Sequence, residues 1–176
     1  MQRRKIHLQR RVHERFKKGV LRILISALPL ALASPAYTGE VSGRASVIDG
    51  DTIEIHGQRI RIVGIDAPES RQRCTEKATG SETRCGQEAA FWLSNFLAAR
   101  PVTCLEEGKD RYNRSLARCQ VQGVDIGGAM VTAGWALAFT RYSNDYVSQE
   151  AEARSAGNGM WSMEFIAPWE WRKGAR

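Results

Sequence analysis

Histidine is scarce in this chain: three occur in 176 residues, and beyond residue 36 only His56 remains. Cysteine is limited to four, none of them spaced as C-x-x-C. These two shortages argue against a zinc site, which draws its ligands from clusters of both residue types. No internal repeat is present, so one globular domain is implied. The apolar run at residues 23–33 is broken by Ser26 and Pro29 and is short for a membrane span. After residue 36 lysine is rare as well, three against 14 arginines. Residues 37–176 hold 17 basic and 18 acidic groups, so the sequence pI of 9.6 belongs to the first 36 residues, with nine basic groups and one Glu. A high pI of that origin is no argument for nucleic-acid binding. Any phosphate-binding surface must be local, and arginine suits bidentate contacts of that kind.

Residues 1–36 combine a basic stretch, the apolar run and the small residues Ser34, Pro35 and Ala36. This three-part pattern predicts a secretory signal peptide cleaved after Ala33 or Ala36, with an uncleaved membrane anchor as the alternative. The expected location is periplasmic or secreted. All four cysteines, Cys74, Cys85, Cys104 and Cys119, lie beyond this leader, and an even count in an oxidising compartment predicts disulfides.

The core motif is residues 47–69, VIDGDTIEIHGQRIRIVGIDAPE. Apolar residues alternate on both sides of His56-Gly57, the pattern of a β-hairpin closed by a two-residue turn. That turn sets Ile55 opposite Gln58, Glu54 opposite Arg59 and Thr52 opposite Arg61. The register then draws Asp51 toward Asp66 and Glu69, with Arg61 beside them. A hairpin needs no such rim of acids for its core, whereas a site does. An isolated Asp-Gly-Asp reads by default as a turn, and this one lacks the later ligands of an EF-hand.

Around the hairpin, a first strand is expected over residues 37–47, with Gly43 as a possible bulge. Residues 70–86 form a long polar loop tethered beside the acidic rim by a Cys74–Cys85 bond. An amphipathic helix follows at 87–99, with Ala89, Ala90, Leu93, Phe96 and Leu97 on one face. Strands at 102–106 and 115–121 form a second hairpin. Centred between Arg111 and Tyr112, it sets Cys104 opposite Cys119, which favours that pair among the three possible connectivities. Asp125 caps a short helix at 126–133, and a third helix spans about 144–156. Trp161, Trp169 and Trp171 read as a lid over the core.

Asp49-Gly50-Asp51-Thr52, Arg61, Asp66-Ala67-Pro68-Glu69 and Asp110-Arg111-Tyr112-Asn113-Arg114, in this order and spacing, resemble the thermonuclease (staphylococcal nuclease-like) family from about residue 41 to 161. The resemblance implies an α+β fold, a five-stranded OB-like β-barrel with three α-helices, over residues 37–176. It also implies a Ca²⁺-dependent endonuclease acting on DNA and RNA with little sequence preference and leaving 3′-phosphate ends. Asp51 and Asp66 then match the calcium-binding carboxylates, with the carbonyl of Ala67 as a further ligand. Arg61 and Arg114 match the arginines that grip the scissile phosphate, and Glu69 matches the general base. Tyr112, Arg71 and Arg73 are candidate substrate contacts. No stable protein partner is implied and a monomer is expected. The rival reading is a non-catalytic OB module that binds nucleic acid or protein; such a module would be expected to have lost Glu69 or an arginine.

Overall fold

The computed structural model describes residues 39–175. The predicted leader, residues 1–36, lies outside the described residues. Strands β1 (Gly39–Arg44) and β2 (Ser46–Asp49) are one run of chain broken only at Ala45. The hairpin strands β3 (Thr52–Ile55) and β4 (Gln58–Ile62) pair in the expected register, Ile55 with Gln58, Glu54 with Arg59 and Thr52 with Arg61. His56 and Gly57 both take positive φ, 51° and 78°, as a primed two-residue turn requires.

After β5 (Ile65–Asp66), the long loop contains two short paired strands, β6 (Cys74–Glu76) and β7 (Glu82–Thr83). Helix α1 (Cys85–Leu97) starts two residues earlier than expected and buries Ala89, Leu93 and Leu97. Strands β8 (Pro101–Lys109) and β9 (Ser115–Val121) place Cys104 opposite Cys119, and these two cysteines are bonded, as are Cys74 and Cys85. Strand β10 (Val124–Asp125) leads into α2 (Ile126–Thr132), whose cap Asp125 accepts a hydrogen bond from the Gly128 N–H at 2.8 Å.

Then come β11 (Leu137–Ala138), α3 (Val147–Ala156), a 3₁₀ turn (Gly159–Ser162), β12 (Met163–Glu164) and α4 (Pro168–Arg172). Helix α3 begins three residues later than expected. Its leading residue Tyr146 turns inward, close enough to Gly64 and Gly127 that a Cβ at either would lie 2.8 Å from its side chain. Two expectations need correction. Gly43 is not a bulge, since β1 pairs with β8 without a shift; the irregularities fall between Val47 and Asp49 and between Glu106 and Gly108. The helices also exceed the expected three, because α4 forms at the C-terminal end, where Pro168 at its first turn loses no hydrogen bond.

The fold is α+β and OB-like. The main sheet runs β1-β8-β9-β4-β3-β2, so its two edges are the two halves of the single run 39–49. Counting that run once gives five principal strands, curled round a core of Ile53, Ile55, Ile60, Ile62, Val102, Val121, Leu93 and Met130. Burial of such side chains contributes about 1.5–3 kcal/mol each. A second apolar cluster gathers Cys74, Cys85, Leu137 and Met160 beneath Trp161 and Trp169, the lid role expected for these two aromatics.

Candidate active site

The hairpin register sets Arg61 of β4 opposite Thr52 of β3, next to Asp51, which immediately precedes that strand. From there the Arg61 guanidinium spans two carboxylates, donating from Nη1 to Asp51 Oδ1 and from Nη2 to Asp66 Oδ1, both at 2.7 Å. Both aspartates are buried, at 3% and 0% exposure. Asp51 is further held by the Thr52 hydroxyl on Oδ1 at 3.0 Å and by the Ala67 N–H on Oδ2 at 3.0 Å. Burial pushes the Asp51 carboxyl above the usual carboxylate range, against the pull of Arg61. Burial also works against the Arg61 charge, but Asp51 and Asp66 outweigh it and hold the guanidinium protonated.

Two glycines permit this close assembly. A Cβ on Gly50 would lie 2.6 Å from that of Ala67, and one on Gly86 would lie 1.9 Å from the Glu69 carbonyl oxygen. The second contact sets Gly86, in the first turn of α1, directly against the loop that carries Glu69. The buried Gln72 closes that loop, donating its N–H to the Glu69 carbonyl at 2.7 Å and accepting the Glu69 N–H on Oε1 at 3.3 Å.

The structure separates the remaining candidates. Arg114 is not joined to the acidic rim; it pairs with Asp110 at 2.7 Å within its own turn. Tyr112 is 66% exposed, with the guanidinium groups of Arg111 and Arg114 4.8 Å and 5.6 Å from its ring centroid, so the ring stands at the surface rather than in the core. Arg73 pairs with Glu82 at 2.6 Å, and Arg71 is exposed. Sequence reasoning missed Arg172. Its guanidinium donates to Asp66 at 3.0 and 2.6 Å and to Glu69 Oε1 at 2.8 Å, across more than 100 residues of chain. No short-range pattern marks such a contact; Pro168 signals only that a helix starts nearby.

A cavity of about 600 Å³ lies at the C-terminal segment, lined by Trp161, Phe165 and Trp169 with Lys77 and Arg154. None of the acidic rim lines it, so this hollow and the acidic rim are in different places.

An OB-like barrel that sets buried carboxylates, a glutamate and arginines at one rim has the equipment of a phosphodiester hydrolase. Comparison with known proteins agrees. The family described as staphylococcal nuclease homologue matches residues 59–163, more than half of the chain. An endonuclease of Escherichia coli O157:H7, otherwise uncharacterised, is 32% identical over 157 residues, covering 82% of this chain and 95% of its own. The micrococcal nuclease of Shigella flexneri is 30% identical over 176 residues, covering 90% and 95%. A succinoglycan biosynthesis protein, ExoI of Rhizobium meliloti, is 41% identical over 124 residues, covering 69% of this chain and 64% of its own length. The chain belongs to the staphylococcal nuclease family and is a nuclease-type hydrolase.

Proposed function

We propose that this protein is an exported, Ca²⁺-dependent endonuclease that hydrolyses phosphodiester bonds of DNA and RNA. The observation that carries the reading is the Arg61 bridge between two buried aspartates, on the rim that also holds Glu69. Carboxylate oxygens of Asp51 and Asp66, with the carbonyl of Ala67, form the hard oxygen set that Ca²⁺ takes. Among the described residues no group of three or more His, Cys, Asp or Glu side chains is placed to hold a metal ion. Two carboxylates and a carbonyl would leave room for water and a substrate phosphate, and Asp51 and Asp66 are already drawn together around one guanidinium. On those grounds the residues fit the ion. Bound there, it would supply charge neutralisation to a phosphoryl oxygen.

The chain's own groups do the rest. Glu69 accepts the proton of the water that attacks phosphorus. Arg61, already oriented by two carboxylates, and Arg114, at the mouth of its turn, donate to the equatorial oxygens as negative charge builds. The P–O5′ bond breaks, the 5′ oxygen takes a proton, and a 3′-phosphate remains. Tyr112 and Arg71 offer stacking and charge to flanking nucleotides. The two bonded cysteine pairs support an oxidising compartment, and with the three-part pattern of residues 1–36 they support export of residues 37–176.

Digestion of single-stranded DNA by residues 37–176, with Ca²⁺ and with a chelator, tests the proposal. Cleavage only in the presence of Ca²⁺ is the expected result. DNA binding without cleavage under both conditions would instead make the protein a binding module.

A further inference from the structure

The C-terminal segment reaches the predicted base twice, by independent routes. The first is Arg172, at the end of α4. Its fork grips Asp66, from Nη2 to Oδ2 at 2.6 Å and from Nη1 to Oδ1 at 3.0 Å, and Nη1 also donates to Glu69 Oε1 at 2.8 Å. The second is Gln72, which is wholly buried. Its Oε1 accepts the Glu69 N–H at 3.3 Å, and its Nε2 donates to the Ile166 carbonyl at 2.6 Å. Side chain and backbone of Glu69 are thus both referred to residues 166–172. That segment is itself anchored, with Pro168 buried and the Trp169 ring stacked on Phe139 at 5.8 Å between centroids.

The two contacts of Arg172 differ in strength. The Glu69 pair is 37% and 35% exposed at its side chains, and a surface pair of that kind is weak by itself. The Asp66 pair has a partner at 0% exposure and is bidentate, the geometry that fixes a guanidinium. Asp66 therefore holds Arg172, and Arg172 in turn holds Glu69. Only Oε1 of the glutamate is engaged; Oε2 has no hydrogen-bond partner among the described residues.

We propose that Arg172 is a positioning residue of the active site, which holds Glu69 by Oε1 and leaves Oε2 to take the proton of the attacking water. This rests on the reading of Glu69 as general base. A glutamate without that tether samples several rotamers, and a base out of place by about 1 Å can cost on the order of 100-fold in rate. The competing role, a plug on Asp66 that must leave before a cation binds, makes opposite predictions.

The test is cleavage of single-stranded DNA by the full protein at saturating Ca²⁺, with kcat and KM measured for wild type, Arg172→Gln, Arg172→Lys, Glu69→Gln and the double variant Arg172→Gln/Glu69→Gln. Calorimetric titration with Ca²⁺ accompanies each. Positioning predicts that Arg172→Gln lowers kcat by about 10- to 100-fold with KM nearly unchanged. Arg172→Lys should recover part of that loss. In the Glu69→Gln background Arg172→Gln should cost nothing further, because the group it orients is gone. Calcium affinity should stay within about threefold of wild type, a shift of well under 1 kcal/mol.

An equal cost in both backgrounds would overturn the proposal. So would a raised KM at unchanged kcat, which would mark a phosphate contact, or tighter Ca²⁺ binding with undiminished kcat, which would mark a plug. Glu69→Gln measured alone keeps the two ideas apart: wild-type cleavage by that variant overturns the assignment of the base, and the positioning role with it. Should Arg172→Gln fail to fold by circular dichroism, Arg172→Lys and Gln72→Leu carry the same comparison through the two ties.

Discussion

Arg61 stands on β4 and Arg114 in the turn that leads into β9, the strand paired with β4, and the two occupy different physical situations. Arg61 is 17% exposed and bridges Asp51 and Asp66, whose side chains are 4% and 0% exposed and which flank the open end of the hairpin. Arg114 is 25% exposed and pairs with Asp110, four residues away in its own turn. The first guanidinium joins two buried carboxylates and is the arginine partner of Asp51, whereas Asp66 also has Arg172. The second is held by a local pair that a phosphate can replace at little cost. Under the proposed function, Arg61 would be as much structural as functional, whereas the fold asks little of Arg114.

Removing Arg61 gives the largest expected effect. Arg61→Gln strands the buried Asp51 and leaves Asp66 to Arg172 alone, so it should cost about 3–5 kcal/mol of stability as well as abolish cleavage. Urea denaturation measures the first, and a loss below about 1 kcal/mol would show that the bridge is dispensable. The disulfides come next, with about 2–4 kcal/mol expected for each pair replaced by serine. They should divide in their effect on rate. Replacing Cys74 and Cys85 frees the loop behind Glu69 and should slow cleavage, whereas replacing Cys104 and Cys119 should leave the rate of folded protein intact.

Arg114→Lys keeps the charge and loses the planar fork. The expected result is a rate lowered by about 10- to 100-fold, the worth of a hydrogen bond to a charged group. Stability should change by no more than about 0.5 kcal/mol.

Asp110→Asn is the smallest perturbation. Partial burial pushes the Asp110 carboxyl up, but the N–H and guanidinium of Arg114 and the N–H of Tyr112 outweigh it and hold it below its ordinary range. A carboxyl depressed on folding adds stability above its unfolded pKa and loses it as pH falls. Wild type should therefore be slightly more stable than Asp110→Asn near neutral pH, and the gap should narrow in acid as the carboxylate is protonated. Denaturation at neutral and at acid pH checks it, and a gap that persists in acid would contradict it.

The same contrast explains what could be read from the sequence. Asp51 adjoins and Arg61 lies in one hairpin, where alternation and a two-residue turn dictate register, and Asp66 follows four residues after it, so their meeting was legible. Cys104 opposite Cys119 followed from the second hairpin in the same way, despite a bulge near Gly108. Gly43 misled, because curling the 39–49 run needed a break at Ala45 rather than an inserted residue. Helix α4 is five residues long, too short for any apolar period to register. Arg172 was beyond reach for a related reason: its partners lie 103 and 106 positions away, and only the packing of the C-terminal segment brings them together.

Single-turnover cleavage by Glu69→Gln, with a binding titration alongside at saturating Ca²⁺, tests the catalytic assignment most directly. The amide keeps the size of the side chain and cannot take the proton. The account predicts a rate about 10²- to 10⁴-fold lower with DNA and Ca²⁺ affinity little changed. Cleavage by Glu69→Gln at the wild-type rate would contradict it.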